Sequence, residues 1–508
     1  MQFILVVLLC LIYIAAVEGF LSASKCFNKN CVSSLSSTAV DEAIGAVGSK
    51  LTNNDLALEA IGEFFPDIDA TAVEMIATEG GVNNIVQYLT FPDGSQKLLR
   101  IYNNGEDTVQ VKFEHTLLSV LHAKNYPDEF DFSIPKYMPS PKDSSSTFLK
   151  LSNGAEACIV DFIEGTLPKA SCFETIGKAS GELNTALGEI TEDVRSSAEC
   201  NCDPYADMWG VHDALTKENF VETMKSSIFD GELRKYADLM LQETISITDK
   251  CANEYKSLPE QLIHGDLHYD NVLVKDGKCT GLLDFEFALF DWRAMELATC
   301  LSKYAGEDGA IDMFDKFMQG YSKAGRLNAL EAKAIPDLIN LRVLSNVAYF
   351  VGRYLGKQDT IEPLTKRIEN YYERVQWIKD NEDDIVATML KYYPWAHAKP
   401  VSTEFKVEKA SPEVLEAMKV TQWPTWTTEG SEKYKVGVTS PEKIYDTNEL
   451  SYIISGSMEI TPKSTGVPVK VEAGDFVTFP EDFACTWHVN EVINKHWFCY
   501  LEDGSPDI

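Results

Sequence analysis

The stretch that decides the fold is QLIHGDLHYDNVLVKDGKCTGLLDFEFALFDWRAMELA, residues 261–298. An apolar start leads into a polar loop, and β-prone residues then stand on both sides of Asp276 and Gly277. An Asp-Gly pair between two such runs is a strong signal for a β-hairpin. The pattern therefore predicts a strand, a polar loop and then a hairpin with strands at residues 272–274 and 281–283.

Polar residues stand at the edges of this predicted hairpin. Asp266 lies in the loop, Asn271 directly precedes the first hairpin strand and Asp284 directly follows the second. Phosphoryl transfer needs such a set: one carboxylate orients the attacking hydroxyl, while an amide and a second carboxylate hold Mg²⁺ on the nucleotide phosphates. The alternative is a buried hairpin whose acidic residues only cap turns. The three spacings together favour catalysis by Asp266 and metal binding by Asn271 and Asp284.

The runs HGDLHYDNVL and LLDFEFA resemble the aminoglycoside phosphotransferase/choline kinase superfamily, whose members are related to the protein kinases. The resemblance implies an α+β fold with two lobes, the cofactors ATP and Mg²⁺, and a metal-binding role for Asp284. The residues that match the catalytic loop of the superfamily are His264, Gly265, Asp266, His268, Asp270 and Asn271. His264 and His268 are expected to orient the loop by hydrogen bonds rather than to take part in the chemistry.

Length and charge limit the class of protein. The chain has 508 residues, of which 45% are hydrophobic and 24% charged, as in an ordinary globular protein of about three domain-sized units. Its formal net charge of −33 repels phosphate backbones and anionic membrane surfaces. Nucleic acid is therefore not an expected partner, and a small-molecule substrate is.

The N-terminal residues resemble targeting signals. Residues 3–17 form an almost unbroken apolar run that is too short to span a membrane, and residues 1–19 are predicted to be a signal peptide. A buried N-terminal helix is the alternative. Residues 20–54 begin with a segment rich in Ser that has no acid before Asp41, which resembles a transit peptide. The two together resemble the bipartite presequences of complex plastids.

The predicted route is therefore through the endoplasmic reticulum to a plastid. The lumen of the secretory pathway is the alternative location. No stable membrane span is expected once the signal peptide has been removed.

The segment EGGVNNIVQYLTFPDGSQKLLRIYNN, residues 79–104, is typical of two strands joined by a Pro-Asp-Gly turn. Gly81, Asn83 and Asn84 open the first strand, where such residues let main-chain N–H groups approach phosphates. They are candidates for nucleotide binding. A tight turn into an edge strand is the alternative.

Arg100 takes the place where the resembled superfamily usually carries a lysine, and Glu114 falls where the carboxylate that pairs with that lysine stands. A guanidinium can bridge nucleotide phosphates and a helix carboxylate, and it stays charged. Both residues are therefore predicted at the nucleotide. Lys97, on the opposite strand face, is the alternative phosphate contact, and Arg100 and Glu114 could instead form a surface pair.

Four further runs, GGVNNIVQYL, LLRIYNN, FEHTLL and DFIEGTLP, resemble the homoserine kinase-like branch of the superfamily. The resemblance covers residues 55–395 and implies a nucleotide lobe at residues 55–165 and a helical lobe at residues 166–395. It also implies transfer of a phosphoryl group to the hydroxyl of a small amino alcohol, with homoserine as the first choice.

Three residues near the hairpin are candidates for holding this substrate. Asp270 and Glu286 could grip an amine or a second metal, and Arg293 is either a clamp for a substrate carboxylate or the partner of Glu296. Glu296 itself is expected to fix the catalytic loop by hydrogen bonds. The alternative is that all four residues form a structural polar network.

Residues 396–508 are predicted to form a linker and a separate domain, because helical periodicity stops and short β-type runs follow at regular spacing. The runs YIISG and AGDFVTFP resemble a cupin of the ureidoglycine aminohydrolase-like branch, which implies a small all-β barrel. Glu449 matches the metal-binding Glu of a cupin, but the expected histidines are replaced, so no metal is expected. The candidate pocket residues are Tyr445, Glu449, Cys485, Trp487 and Lys495.

The whole chain is thus expected to be an ATP- and Mg²⁺-dependent kinase fused to a non-catalytic cupin, which could also form a homodimer. A choline- or ethanolamine-type kinase is the alternative among enzymes. A catalytically inactive kinase–cupin protein that senses a metabolite is the alternative outside them, although the intact set of Asp266, Asn271 and Asp284 argues against it.

Overall fold

The computed structural model describes residues 52–78, 84–102, 108–168, 171–393, 404–418 and 420–501. The predicted signal peptide and nearly all of the predicted transit-peptide-like segment lie outside these residues, as do Gly81 and Asn83. The chain divides into two compact units. The first comprises Met1–Tyr321 and Pro336–Glu382, and the second comprises Ser322–Ile335 and Asp383–Ile508. The second unit thus includes segments that the sequence-based division assigns to the helical lobe.

A mixed sheet-and-helix lobe begins the described part of the first unit. Its strands are β1 (Glu74–Ala77), β2 (Ile85–Thr90), β3 (Gln96–Ile101), β4 (Leu149–Lys150) and β5 (Glu156–Asp161), and its helices are α1 (Asn53–Phe64), α2 (Val109–Ala123) and α3 (Tyr126–Glu129). The strands form one antiparallel sheet with the order β1-β2-β3-β5-β4. Helix α1 starts at a capping box between Thr52 and Asp55. Its Ile61 shares an apolar core with Leu89 and Leu99 of the sheet.

The chain after this sheet is mainly helical. The helices are α4 (Phe173–Glu189), α5 (Thr191–Arg195), α6 (Lys217–Lys225), α7 (Gly231–Asn253), α8 (Arg293–Ser302), α9 (Ala310–Tyr321), α10 (Ala329–Leu355), α11 (Ile361–Asp380) and α12 (Glu382–Tyr392). Helix α4 shows why: Ile176, Leu183 and Leu187 recur at helical spacing, and all three are buried. None of the described helices is both long enough and apolar enough to cross a membrane.

Two small antiparallel sheets between α7 and α8 hold the stretch that decides the fold. Strand β6 (Glu260–Ile263) pairs with β9 (Leu289–Trp292), and β7 (Val272–Lys275) pairs with β8 (Lys278–Leu282). Asp276 and Gly277 join β7 to β8 with φ angles of 51° and 75°, which is the backbone that an Asp-Gly hairpin turn requires. The polar loop, residues 264–271, leaves β6 and enters β7, so both of its ends are anchored.

The C-terminal region is made of strands, as the sequence predicts. These are β10 (Lys406–Lys409), β11 (Thr425–Thr427), β12 (Lys443–Ile444), β13 (Asn448–Pro462), β14 (Val469–Glu472), β15 (Asp475–Phe479) and β16 (Ala484–Tyr500), with the short helix α13 (Pro412–Ala417). They form one sheet with the order β10-β15-β13-β16-β11, in which β12 also pairs with β16 and β14 with β13. Side chains such as Ile453, Val477 and Trp487 alternate inward and form the core.

Two glycines allow α4 and α9 to approach each other closely. A Cβ atom on Gly177 would lie 2.0 Å from Phe317 O, and one on Gly320 would lie 1.9 Å from Glu174 O. The obstructing atoms are backbone carbonyls, which cannot rotate away as a flexible side chain can. A larger residue at either glycine would therefore force the two helices apart.

We expect Gly177→Ala to lower the free energy of unfolding by about 1–3 kcal/mol, the usual cost of overpacking. The control is Gly62→Ala on α1, where the added Cβ meets nothing within 4 Å. The control should raise that free energy by roughly 0.5–1 kcal/mol, because alanine is the better helix former. Urea denaturation of the three proteins measures both effects, and wild-type stability of Gly177→Ala would contradict the close contact.

Candidate active site

The β7–β8 hairpin brings Asp266, Asn271 and Asp284 together. Leu283 N donates to Asn271 O at 2.9 Å, which joins the end of β8 to the start of β7. Asn271 Nδ2 donates to Asp266 O at 2.9 Å, which folds the polar loop back onto the hairpin. Asp284 has a left-handed backbone (φ 65°), so the chain turns as soon as β8 ends. The structure thus places the three predicted residues side by side.

Asp266 is fully buried, and a cation holds its carboxylate. Arg342 Nη2 donates to Asp266 Oδ1 at 3.1 Å, and His268 Nε2 lies 3.5 Å from Oδ2. Burial on its own raises the pKa of Asp266, but His268, Arg342 and Lys303 lower it to about 2. Burial and the nearby Lys303 lower the pKa of His268, and burial also lowers the pKa of Lys303, so Arg342 is the cation in direct contact with the carboxylate. Asp266 is therefore ionised at neutral pH.

Hydrogen bonds hold the polar loop in place. His264 Nε2 donates to Leu283 O at 2.9 Å, and its Nδ1 accepts from Asp266 N at 3.3 Å. Glu296 Oε2 accepts from Gly265 N at 3.1 Å. Burial raises the pKa of Glu296 to about 7. His264 and Glu296 thus make the orienting hydrogen bonds that the sequence predicts for them.

Gly265 is required by the backbone of this loop. Its φ is 78°, and a Cβ atom there would lie 2.5 Å from Phe287 O and 2.4 Å from a methyl group of Leu289. Tyr205 Oη donates to Gly265 O at 2.9 Å, which fixes the peptide group between Gly265 and Asp266. The loop therefore has little freedom at the residue that precedes Asp266.

Arg100 on β3 joins the N-terminal lobe to the hairpin. Its Nη1 donates to Glu114 Oε1 at 3.0 Å, and its Nη2 lies 3.2 Å from Asp284 Oδ1 and also contacts Glu286. Both Arg100 and Glu114 are buried, so they do not form a surface pair. Burial on its own lowers the pKa of Arg100, but the carboxylates of Glu114, Glu286 and Asp284 raise it well above the ordinary range.

Asn84 is the described member of the three predicted phosphate-binding residues. Its Nδ2 donates to Glu286 Oε2 at 2.7 Å, so it borders the cluster around Arg100. Burial and the neighbouring Asp284 raise the pKa of Glu286. Lys97, the alternative phosphate contact, instead pairs with Asp161 at 2.6 Å and is partly exposed. The structure therefore places Arg100 and Asn84, and not Lys97, in the cluster that includes Asp284.

Asn271 and Asp284 fit a metal ion that is shared with a nucleotide. The described hydrogen bonds of the Asn271 amide use its nitrogen, which leaves the oxygen for a cation. The Asp284 side chain is 34% exposed and so is accessible. Groups of three or more His, Cys, Asp or Glu side chains suited to a metal do not occur among the described residues. Mg²⁺ on nucleotide phosphates needs only one or two protein oxygens, because phosphates and water supply the rest.

The three predicted substrate residues have different surroundings. Asp270 is at the edge of the polar loop, where its Oδ2 lies 3.9 Å from Lys303 Nζ. Glu286 is tied to Arg100 and Asn84, on the side of the N-terminal lobe. Arg293 is buried at the first turn of α8, where its backbone N donates to Pro259 O at 2.8 Å. The structure thus brings Asp270, and not Glu286, next to the cations around Asp266.

Sequence reasoning missed Lys303 and Arg342. Lys303 directly follows α8, and Arg342 lies in α10 in the run LINLRVLSNVAYF. A single arginine in an otherwise apolar, buried helix needs a buried partner, so Arg342 could have been predicted to pair with a buried carboxylate. The position of Lys303 gives no comparable signal, because a lysine at the end of a helix is common.

The five predicted pocket residues of the cupin are all buried or nearly so. Lys495 Nζ contacts Glu449 and donates to Ser451 Oγ at 2.9 Å. Burial raises the pKa of the Cys485 thiol to about 11, so this residue is a poor metal ligand. A carboxylate already bound by an ammonium, next to a neutral thiol, does not fit a divalent metal. Tyr445 and Trp487 complete the group.

Comparison with protein families decides the assignment. Residues 75–332, just over half of the chain, match the model of the phosphotransferase enzyme family. The chain belongs to the phosphotransferase enzyme family. Residues 415–497 match the model of the EutQ-like cupin domain, so this phosphotransferase carries the C-terminal cupin that the sequence predicts. The protein is a small-molecule kinase, and this class of enzyme uses a nucleotide and a divalent metal ion.

The relatives of this phosphotransferase include homoserine kinases. The homoserine kinase of Rhizobium etli is 27% identical over 292 residues, which cover 54% of this chain and 83% of the relative. The homoserine kinase of Methylocella silvestris is 40% identical over 193 residues, which cover 36% of this chain and 54% of the relative. A microcompartment-associated aminopropanol kinase of known structure is 16% identical and covers 66% of this chain and 100% of its own, with a TM-score of 0.51. The last likeness shows the fold alone.

The cation on Asp266 gives this phosphotransferase a predictable pH dependence. Arg342→Met removes a charge that lowers the pKa of Asp266. In a reaction where Asp266 accepts the proton, activity is lost as this carboxyl becomes protonated, so a raised pKa moves the acid limb of the kcat/KM profile to higher pH. Profiles of the wild type and Arg342→Met measure the shift. The control is Arg353→Met: Arg353 lies on α10 like Arg342 but pairs with Asp359, beyond the end of the helix, so this variant should leave the limb in place.

Proposed function

We propose that this kinase transfers the γ-phosphoryl group of ATP, as its Mg²⁺ complex, to the side-chain hydroxyl of homoserine. The observation that carries the proposal is a pair of cations, Lys303 and Arg342, beside the ionised carboxylate of Asp266. An ionised carboxylate next to metal-binding oxygens supports transfer to an alcohol. Cations beside Asp266 favour the binding of an alcohol that also carries a carboxylate. The homoserine kinases among the relatives agree with this substrate.

Asp266 has the role of the base in this reaction. It accepts a hydrogen bond from the hydroxyl of the acceptor and takes the proton as the new P–O bond forms. Arg342 keeps the carboxylate oriented through Oδ1, and Asn271 fixes the backbone of the same residue. Mg²⁺, held by Asn271 and Asp284, would supply positive charge to the phosphate oxygens.

Arg100 has a mainly positioning role. Both of its terminal nitrogens are already in contact with carboxyl groups, those of Glu114, Asp284 and Glu286, so they are not free to bind phosphates. Its contacts instead hold the metal-binding carboxylate of Asp284 against the N-terminal lobe. The guanidinium can do this with two nitrogens at once, which an ammonium cannot do in the same geometry.

The charges around Asp270 favour an amino acid over a choline-type substrate. Homoserine carries a carboxylate and an ammonium in addition to its hydroxyl. Lys303 can receive the carboxylate, because its side chain is 14% exposed, and Asp270, which is 42% exposed, can receive the ammonium. Choline and ethanolamine carry no carboxylate and would leave the buried ammonium of Lys303 without a ligand partner, which disfavours them.

We expect Asp266→Asn to lower kcat by about 100- to 10,000-fold, because an amide cannot accept the proton. Binding of ATP should remain, since Asp266 is not one of the residues assigned to the nucleotide or its metal ion. Steady-state ADP release and ATP binding by calorimetry measure the two effects. Asp276→Asn, the same chemical change in the hairpin turn, is the control and should keep wild-type turnover. Retained turnover in Asp266→Asn would reject Asp266 as the base.

Recognition of the substrate carboxylate is tested with a matched pair of acceptors, L-homoserine and 3-amino-1-propanol. The second is homoserine without its carboxylate. We expect a clear preference for homoserine in kcat/KM. Lys303→Met should lower kcat/KM for homoserine by roughly 10- to 100-fold, the value of one charge-assisted hydrogen bond, and change that for 3-amino-1-propanol little. Lys316→Met, an exposed lysine on α9, is the control.

The alternatives predict different results in this assay. Higher kcat/KM for choline or ethanolamine than for homoserine would make the protein a kinase of the choline type. No ADP release with any acceptor, while ATP still binds, would favour a metabolite sensor. If Lys303→Met lowered kcat/KM equally for both acceptors, Lys303 would support the polar loop and would not bind the substrate carboxylate.

A further inference from the structure

The core of the cupin contains a buried ion pair where other cupins place a metal. Glu449, the residue that matches the metal-binding Glu, lies on β13 and contacts Lys495 Nζ from β16. Ser451, two residues along β13, accepts from the same ammonium at 2.9 Å. Lys495 and Glu449 are 3% and 7% exposed. A charged ammonium thus stands beside the carboxylate that would otherwise hold a metal ion.

A second lysine lies at the accessible side of this pair. Lys443 Nζ is 3.8 Å from Glu449 Oε2 and 3.9 Å from the centroid of the Tyr445 ring. Its side chain is 27% exposed, whereas Lys495 is enclosed. Burial on its own raises the pKa of Glu449, but Lys495 and Lys443 lower it, so the carboxylate is ionised. Two positive charges and one negative charge leave the cluster with a net charge of +1.

Aromatic side chains surround the two lysines. Lys495 Nζ lies 5.4 Å from the ring centroid of Trp426, 5.8 Å from that of Phe479 and 5.5 Å from that of Trp487. These distances are in the range of cation–π contacts, which stabilise an ammonium away from water. The walls of the cluster are therefore apolar, and its polar groups are concentrated at one place.

Two buried donors in this cluster make no hydrogen bond of good geometry within the described residues. Neither Tyr445 Oη nor Trp487 Nε1 makes a hydrogen bond of good geometry within the described residues, although Trp487 lies close to both Tyr445 and Cys485. Both side chains are almost fully buried, at 2% and 1% exposure. An unmade hydrogen bond at a buried donor costs about 1–3 kcal/mol, so such donors are usually paired with a ligand or water.

We propose that the cupin binds a small organic monocarboxylate at Lys443, Lys495, Tyr445 and Trp487. The net charge of +1 matches a monoanion, and the buried Tyr445 hydroxyl and Trp487 N–H can donate to its two oxygens. The aromatic walls favour a ligand with an apolar body over a compact, strongly hydrated anion such as phosphate. The site uses an ammonium in the role that a metal ion has in other cupins. This proposal does not depend on the substrate of the kinase.

The test is a titration of the full-length protein with sodium acetate, propionate and benzoate, with chloride and inorganic phosphate as comparison anions. Intrinsic fluorescence is a direct readout, because Trp426 and Trp487 are in contact with the lysines. We expect a saturable change with the carboxylates and a weaker or absent one with the other anions. Lys303→Met is titrated in parallel to distinguish carboxylate binding at the cupin from binding at the kinase site. The fluorescence change that comes from the cupin must persist in this variant.

Lys443→Gln should weaken carboxylate binding by at least about 10-fold, as expected for a charge-assisted hydrogen bond. The control is Lys463→Gln, an exposed lysine of the same unit that pairs with Glu442. Tyr445→Phe keeps the ring and removes only the hydroxyl, so it tests the site even if Lys443→Gln does not fold. Kinase turnover should be unchanged in all three variants. The proposal is wrong if the wild type gives no saturable signal, if phosphate binds better than the carboxylates, or if neither site variant weakens binding.

Discussion

The arrangement of the phosphotransferase unit depends on one buried guanidinium. Arg100 comes from β3, Glu114 from α2, and Asp284 and Glu286 from the segment after β8. A buried arginine without carboxylates is very unfavourable, and three carboxylates this close would repel one another without the arginine. Each part is therefore stable only when the others are in place. The carboxylate of Asp284 takes its orientation from a residue of the opposite lobe.

The local part of this site could be predicted from the sequence. The Asp276–Gly277 turn fixes the hairpin, and the hairpin aligns Asn271 with Leu283. The short polar loop then brings Asp266 within hydrogen-bond distance of Asn271. Such relations follow from spacing along one segment. The partnership of Arg100 and Glu114 could be predicted as well, because both residues occupy positions that the resemblance to the superfamily defines.

The long-range part could not be predicted in the same way. Arg342 reaches Asp266 across 76 positions, and Lys303 approaches it from the end of a helix whose packing no local pattern reveals. Glu286 shows most clearly what local sequence cannot predict. Its position after β8 suggests a substrate contact, but in the folded chain its carboxyl group contacts Arg100. The closeness of α4 and α9 likewise rests on two glycines in different helices, which only the folded chain brings together.

The ion pair in the cupin has a consequence for the conditions under which this domain keeps its charge. A metal ion in a cupin is acquired from solution, can be removed by chelators and can change its oxidation state. The ammonium of Lys495 is part of the polypeptide, so it is present as soon as the domain has folded. The positive charge of this cupin is therefore independent of metal supply, and its properties should be the same in compartments that differ widely in free metal.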